Sequence, residues 1–211
     1  KVLFVDENTG ATDLVIDPGN PAVLYVAMYQ RQRRTWGFNG AGPGSGIYKT
    51  NDGGATWTEL TNGLPAGDKG RIGLAIYAAD PRIVYATVQA RGEEQGIYRT
   101  KDAGATWERV SSLNTRPNYY SQIRIDPQNH DNVYTLGSNR GFYISEDGGT
   151  SFIELFSKVH GESCKTLNLC IGSPQIGLIN NPFQIIEPIA KLAVEVNASF
   201  SSTDSQTRVE T

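Results

Sequence analysis

Three aspartates, Asp52, Asp102 and Asp147, stand in near-identical surroundings. The chain reads Thr50-Asn51-Asp52-Gly53-Gly54-Ala55-Thr56-Trp57, then Thr100-Lys101-Asp102-Ala103-Gly104-Ala105-Thr106-Trp107, then Ser145-Glu146-Asp147-Gly148-Gly149-Thr150-Ser151-Phe152. A carboxylate in such a place has three uses: catalysis, metal binding or the organisation of a turn. Calcium asks for a spaced series of oxygen ligands, and the pattern shared by the boxes offers one carboxylate. Turn formation fits every position. The Asp accepts bonds from backbone N–H groups that follow it, and Gly54, Gly104 and Gly149 supply left-handed backbone at no steric cost. Thr56 and Thr106, then Trp57 and Trp107, suit the start of a new strand. The boxes are therefore read as structural.

Other chemistry is sparse. His130 and His160 stand alone and read as surface loop residues, so no metal site is expected. No nucleophile elbow, P-loop or dinucleotide fingerprint occurs, and no cofactor is expected. The run Gly40-Ala41-Gly42-Pro43-Gly44-Ser45-Gly46 lacks the Lys-Ser/Thr of a P-loop and reads as a flexible loop. The richest stretch for recognition is Gln30 to Phe38. It combines Arg31, Arg33 and Arg34 with Trp36 and Phe38, residue types enriched at interface centres. Its alternative use is as a lid, with the aromatics packed on the domain and the arginines solvating it.

The elements that must position these residues are short strands. Each box follows one (Gly46-Ile47-Tyr48-Lys49, Gly96-Ile97-Tyr98-Arg99, Gly141-Phe142-Tyr143-Ile144) and precedes another. Upstream lie two more per round: Leu14-Val15-Ile16 and Val23 to Tyr29, Ile72 to Tyr77 and Ile83 to Val88, Ile123-Arg124-Ile125 and Val133 to Leu136. Asp-Pro turns at Asp17, Asp80 and Asp126 follow the first strand of each round. Val2-Leu3-Phe4-Val5 reads as one more strand. The boxes are 50 and then 45 residues apart, the period of a four-stranded propeller blade. The fold class is thus all-β: a partial β-propeller of about three four-stranded antiparallel blades over residues 1–155, with Trp57 and Trp107 largely buried. Ring closure needs more blades than three, so further blades are expected in a longer protein.

The box pattern, Ser/Thr-x-Asp-x-Gly-x-Thr/Ser-aromatic, resembles the Asp-box or BNR repeat of sialidases, xyloglucanases, sortilin-type receptors and photosystem assembly factors. Residues Ala11 to Pro18, Trp36-Gly37-Phe38, Gly70 to Ala75 and Tyr119-Tyr120-Ser121 are similar to a bacterial sortilin-like group often labelled glycosyl hydrolases. The resemblance covers residues 1–155 and implies a propeller; its box occurs in enzymes and non-enzymes alike. Sialidase chemistry would need an arginine cluster and a Tyr/Glu pair, and the Arg-Ile-Pro phrase of that family is only echoed by Arg124-Ile125-Asp126-Pro127. Xyloglucanase chemistry would need two carboxylates across a cleft. Asp13 is a candidate for one, and no second is assigned.

Aligning the innermost strands puts Asp13, Gly73 and Gln122 in equivalent places, with Arg71, Tyr120 and Arg124 nearby. These residues either line a channel mouth or bond adjacent blades together. The reading leans to a non-catalytic, sortilin-like module that binds a protein, peptide or carbohydrate ligand, with Arg34, Trp36, Phe38, Asp13, Arg71, Tyr120 and Arg124 as candidate contacts. The alternative is a fragment of a sialidase- or xyloglucanase-like glycoside hydrolase. The resemblance implies an extracellular or periplasmic setting.

Composition agrees. A net charge of −3 lacks the basic stripe of a nucleic-acid binder, and no apolar run reaches membrane-spanning length. Residues 156–211 are a different text, with no box, no Trp and no Tyr. Pro188 to Val196 has helical apolar spacing, the Ser/Thr-rich end is expected to be disordered, and Cys164 and Cys170 form one possible pair.

Overall fold

Val84, Tyr85, Ala86, Thr87 and Val88 are all buried, although successive residues of a strand face opposite ways. Such a strand must be covered on both faces, which here means sheet against sheet. A computed structural model describes residues 2–114, 118–119, 121–137 and 141–154. Within them lie three four-stranded sheets in which every neighbouring pair is antiparallel.

Blade 1 contains β1 (Thr9–Ile16), β2 (Leu24–Gln30), β5 (Gly46–Thr50) and β6 (Thr58–Leu60). A separate hairpin, β3 (Gln32–Arg34) and β4 (Gly37–Asn39), is inserted between β2 and β5. Blade 2 contains β7 (Ile72–Ile76), β8 (Val84–Val88), β9 (Gly96–Thr100) and β10 (Glu108–Ser111). A short 3-10 turn, Gly92–Glu94, joins β8 to β9. Blade 3 contains β11 (Gln122–Ile125), β12 (Val133–Gly137), β13 (Gly141–Ser145) and β14 (Ile153–Glu154). In each blade the strands are paired in chain order, and β7 packs between β1 and β11.

The apolar core lies between the blades. Val84, Ala86 and Val88 join Tyr25, Ala27, Ile47, Leu74 and Trp107 in one cluster, between blades 1 and 2. Tyr85 and Ile97 join Ile123 and Val133 in another, between blades 2 and 3. The expected turns between first and second strands form on aspartates: Asp17 Oδ1 accepts from the N–H groups of Gly19 (2.8 Å) and Asn20 (3.1 Å), and Asp126 Oδ1 from that of Gln128 (2.8 Å).

Three expectations change. Val2 to Val5 forms no strand; the stretch runs irregularly past Trp57. Trp107 is 5 % exposed as expected, whereas Trp57 is only partly buried, because blade 1 covers the first and none of the described blades covers the second. The glycine run is a packed segment: Gly42, Gly44 and Gly46 are buried, and a Cβ on Gly42 would sit 2.2 Å from Gln30 Oε1. The tail 156–211, with its helix expected at 188–196, His160 and both cysteines, lies outside the described residues.

Candidate functional site

The boxes are the first sites to settle. Thr50 Oγ1 donates to Asp52 Oδ1 (2.6 Å) and accepts from the Gly54 N–H (3.0 Å). Asp52 then accepts from the Thr56 N–H (2.9 Å) and the Thr56 hydroxyl (2.6 Å). The second box repeats this with Thr100, Asp102, Gly104 and Thr106, and the third with Ser145, Asp147, Gly149 and Ser151. Gly54, Gly104 and Gly149 all carry φ between +86° and +95°, a backbone state costly for any residue with a Cβ. Each carboxylate is consumed by its own turn.

Electrostatics follow from those bonds. The Thr106 hydroxyl and N–H, then the Thr100 hydroxyl, hold Asp102 at about 2. In Asp147, burial pushes the value up, but the Ser151 hydroxyl and N–H and the Ser145 hydroxyl outweigh it and leave it at about 2. The hydroxyls of Thr50 and Thr56 depress Asp52 still further. A folded pKa below the ordinary 3.8 gives stability that is fully present above that value and lost as pH falls towards 2. Melting temperature should therefore drop between about pH 4 and pH 2, and Asp102→Asn should flatten part of that drop. A wild-type and variant slope that coincide would show the carboxylate is not held as described. At neutral pH, Asp102→Ala should cost about 1–3 kcal/mol by leaving turn donors unpaired, as read from urea unfolding.

Asp13 is also consumed. Its Oδ2 accepts from the Leu74 N–H of blade 2 (2.8 Å) and its Oδ1 from the adjacent Leu14 N–H (2.9 Å). It ties β1 to β7. Arg124 turns onto its own strand, donating to Ile123 O (2.7 Å) and Gln122 Oε1 (2.9 Å). Tyr120 lies outside the described residues. Among the described residues no three His, Cys, Asp or Glu side chains come together, and no helix is long and apolar enough to cross a membrane.

The hairpin is different. Arg34 pairs with Gly37, so Thr35 and Trp36 form its two-residue tip. Trp36 is 81 % exposed and Phe38 42 %. The Arg34 guanidinium lies 5.9 Å from the Trp36 ring centre, and that of Arg31 lies 5.5 Å from the Phe38 ring centre. Among the described residues, Arg31, Arg33, Arg34 and Arg71 make no ion pair. The hairpin base is tied down: Arg31 N–H donates to Asn8 O (3.1 Å), Gln32 Nε2 to Asn8 Oδ1 (2.7 Å), and Gly44 N–H to Gln30 Oε1 (2.9 Å). The Gly42 N–H reaches Lys69 O of the next linker (3.0 Å). A Cβ on Gly40 would sit 2.7 Å from the Phe38 ring and 2.8 Å from the Tyr29 hydroxyl, so the present placement of both rings uses the room that this glycine leaves.

Beneath it, Tyr29 is 4 % exposed and its hydroxyl finds no hydrogen-bond partner. Burial raises its pKa, and the nearby charges of Arg31 and Arg71 oppose that rise. Gly70, the neighbour of Arg71, packs against the end of the hairpin, where a Cβ on it would sit 2.7 Å from Gly40 O. The structure leaves Arg34, Trp36 and Phe38 on the hairpin and places Asp13 and Arg124 in strand contacts.

No protein-family model matches the chain, and no curated protein does. Solved structures do. The chain is similar to an enzyme of glycoside hydrolase family 74 from Niastella koreensis, at 20 % identity and TM-score 0.50, over 74 % of this chain and 23 % of that one. It is similar to YCF48 bound to a D1 peptide, at 15 % identity and TM-score 0.51, over 71 % and 40 %. A family 74 xyloglucanase from Xanthomonas campestris also aligns, at 24 % identity and TM-score 0.45, over 72 % and 20 %. The chain therefore spans less than half the length of each. With three paired four-stranded sheets, and with the family 74 enzyme from Niastella koreensis and YCF48 as structural neighbours, the described residues are all-β and fold as three blades of a β-propeller.

Proposed function

We propose that this chain is the binding portion of an Asp-box, sortilin-like propeller, and that its hairpin takes an extended acidic peptide. The observation that carries this is Trp36, 81 % exposed at the tip of a tied-down hairpin and flanked by arginines that make no ion pair among the described residues. An exposed tryptophan offers large, stiff contact area, and guanidinium groups paired with no described carboxylate offer their charge to those of a ligand. The two-stranded hairpin pairs with no other described strand, so an extended peptide can add to its edge by main-chain bonds. A peptide complex of YCF48, on a comparable fold, supports this class of ligand. The proposed module acts in an extracellular or periplasmic setting.

A glycoside hydrolase fragment is the second reading, supported by the family 74 neighbour. Asp13, its candidate carboxylate, is held by two backbone N–H groups between blades, which weighs against it here. The test is a panel of acidic, neutral and basic extended peptides, with sialylated glycans and β-glucan oligosaccharides assayed for binding and hydrolysis. Selective binding of acidic peptides, weakening as salt rises, is the expected result. Turnover of either glycan, or equal binding of acidic and basic peptides, would overturn it.

A further inference from the structure

Leu14, Leu74 and Ile123 occupy the same register, each one residue before the partner of the Tyr25, Tyr85 or Tyr134 of its blade. Leu74 is 1 % exposed and Ile123 0 %, because the preceding blade covers each. Leu14 is 53 % exposed. The box glycines tell the same story. A Cβ on Gly104 would meet Leu60 and Tyr25 of blade 1, and one on Gly149 would meet Val110, Tyr85 and Ile97 of blade 2. The atoms nearest to one on Gly54 belong to its own box Trp57 and to Val2, not to another blade. A cleft of about 550 Å³ opens there, lined by Trp57, Leu14, Val26, Met28 and the Val2–Phe4 stretch.

The two filled interfaces share a polar contact as well. Tyr25 Oη (2.9 Å) and Lys49 Nζ (2.8 Å) donate to Ala103 O, the third residue after Thr100 in the next box. Arg99 donates to Gly148 O (3.1 Å), the equivalent residue of the third box, and Tyr85 Oη to His130 O beside it (3.2 Å). Burial raises Tyr25 to about 12 and lowers Lys49, consistent with donors taken out of water. In box 1 the equivalent residue is Gly53, and a Cβ built on it would meet nothing within 4 Å.

We infer that the free face of blade 1 is a preformed docking surface for another box-bearing blade. That blade must carry a tyrosine on its second strand and a lysine or arginine at the end of its third, both donating to the Gly53 region. Its apolar strands would cover Leu14 and Trp57. The third blade of a second copy does not meet this requirement. It has Ile144, which carries no donor, in place of Lys49 and Arg99. Blade 2 of this chain does meet it.

The test adds that blade in cis. Residues 72–110 are repeated ahead of Lys1, which leaves residues 1–12 as the linker to Asp13. That is the same length as residues 61–72, which link Leu60 to Gly73. With every tryptophan but Trp57 replaced by phenylalanine, acrylamide quenching of Trp57 should fall at least about threefold on adding the blade. Leu14→Asp should leave the melting temperature of the original chain within a degree or two, yet restore quenching in the extended chain. Arg99→Met with Tyr85→Phe in the added copy alone should restore it in part. An added blade that stays unfolded overturns the inference, as does one that folds while Trp57 stays accessible. Concentration-dependent dimers of the original chain that bury Trp57 would make the occupant a second copy and overturn it too.

Discussion

Trp107→Ala should cost about 3–5 kcal/mol, the usual cost of removing a large aromatic from a well-packed site. Its side chain is 5 % exposed and packs with Tyr25, Ile47 and Leu64 of blade 1 and its linker, so the loss opens the seam between two blades. The Trp107 N–H also donates to Asn62 O (3.0 Å), which holds the linker against the box. Trp57→Ala removes the same residue type from the same position of the first box, but from a half-buried site, and should cost less than half as much. Trp107→Phe should recover most of the loss. The indole Nε1 of Trp107 is buried without a partner, and the third box already places Phe152 there. Urea unfolding of the three variants checks this. Equal costs for Trp57→Ala and Trp107→Ala would show that burial between blades is not what distinguishes the two sites.

The boxes were legible in the sequence because everything that makes them is local. Asp52 bonds residues two and four positions away, so residue type and spacing suffice to read the turn. Strand order was legible for a related reason: each blade pairs neighbours in the chain, and the Asp-Pro turns and boxes mark every reversal. Contacts between blades were not. Lys49 meets Ala103 across 54 positions and Arg99 meets Gly148 across 49, and nothing in a lone Lys or Arg announces a carbonyl that far along the chain. Asp13 belongs to the same class: its partner is a main-chain N–H 61 positions away, which leaves no side-chain signal. The apolar pattern of Val2 to Val5 suggested a strand, but a strand needs a neighbouring strand to pair with, and none of the described strands pairs with this stretch. The glycine run misled in the opposite direction. Its glycines allow close approach to Gln30, Tyr29 and Phe38, and composition alone does not separate that use from flexibility.

Trp36→Ala should weaken the acidic peptide by about 2 kcal/mol, roughly 30-fold, while changing stability by less than about 0.5 kcal/mol. Both halves follow from its position. At 81 % exposure the ring shields almost nothing beneath it, so its removal costs the fold little. The lid alternative for this loop would have required a buried ring and a loss of about 3–5 kcal/mol in stability. Arg34→Ala should cost about 1 kcal/mol in affinity, roughly fivefold, through the lost cation and its stacking on Trp36. Phe38 and Arg31 form a second such pair nearer the base, so double variants across the two pairs should add if the ligand spans both.

The most direct measurement of the binding role is a calorimetric titration of the acidic peptide into wild type, Trp36→Ala and Arg34→Ala, with a thermal melt of each. Melts should be unchanged, with a roughly 30-fold loss of affinity for Trp36→Ala and a smaller loss for Arg34→Ala that shrinks as salt rises. An early-melting Trp36→Ala beside an Arg34→Ala that binds as wild type does would contradict that role.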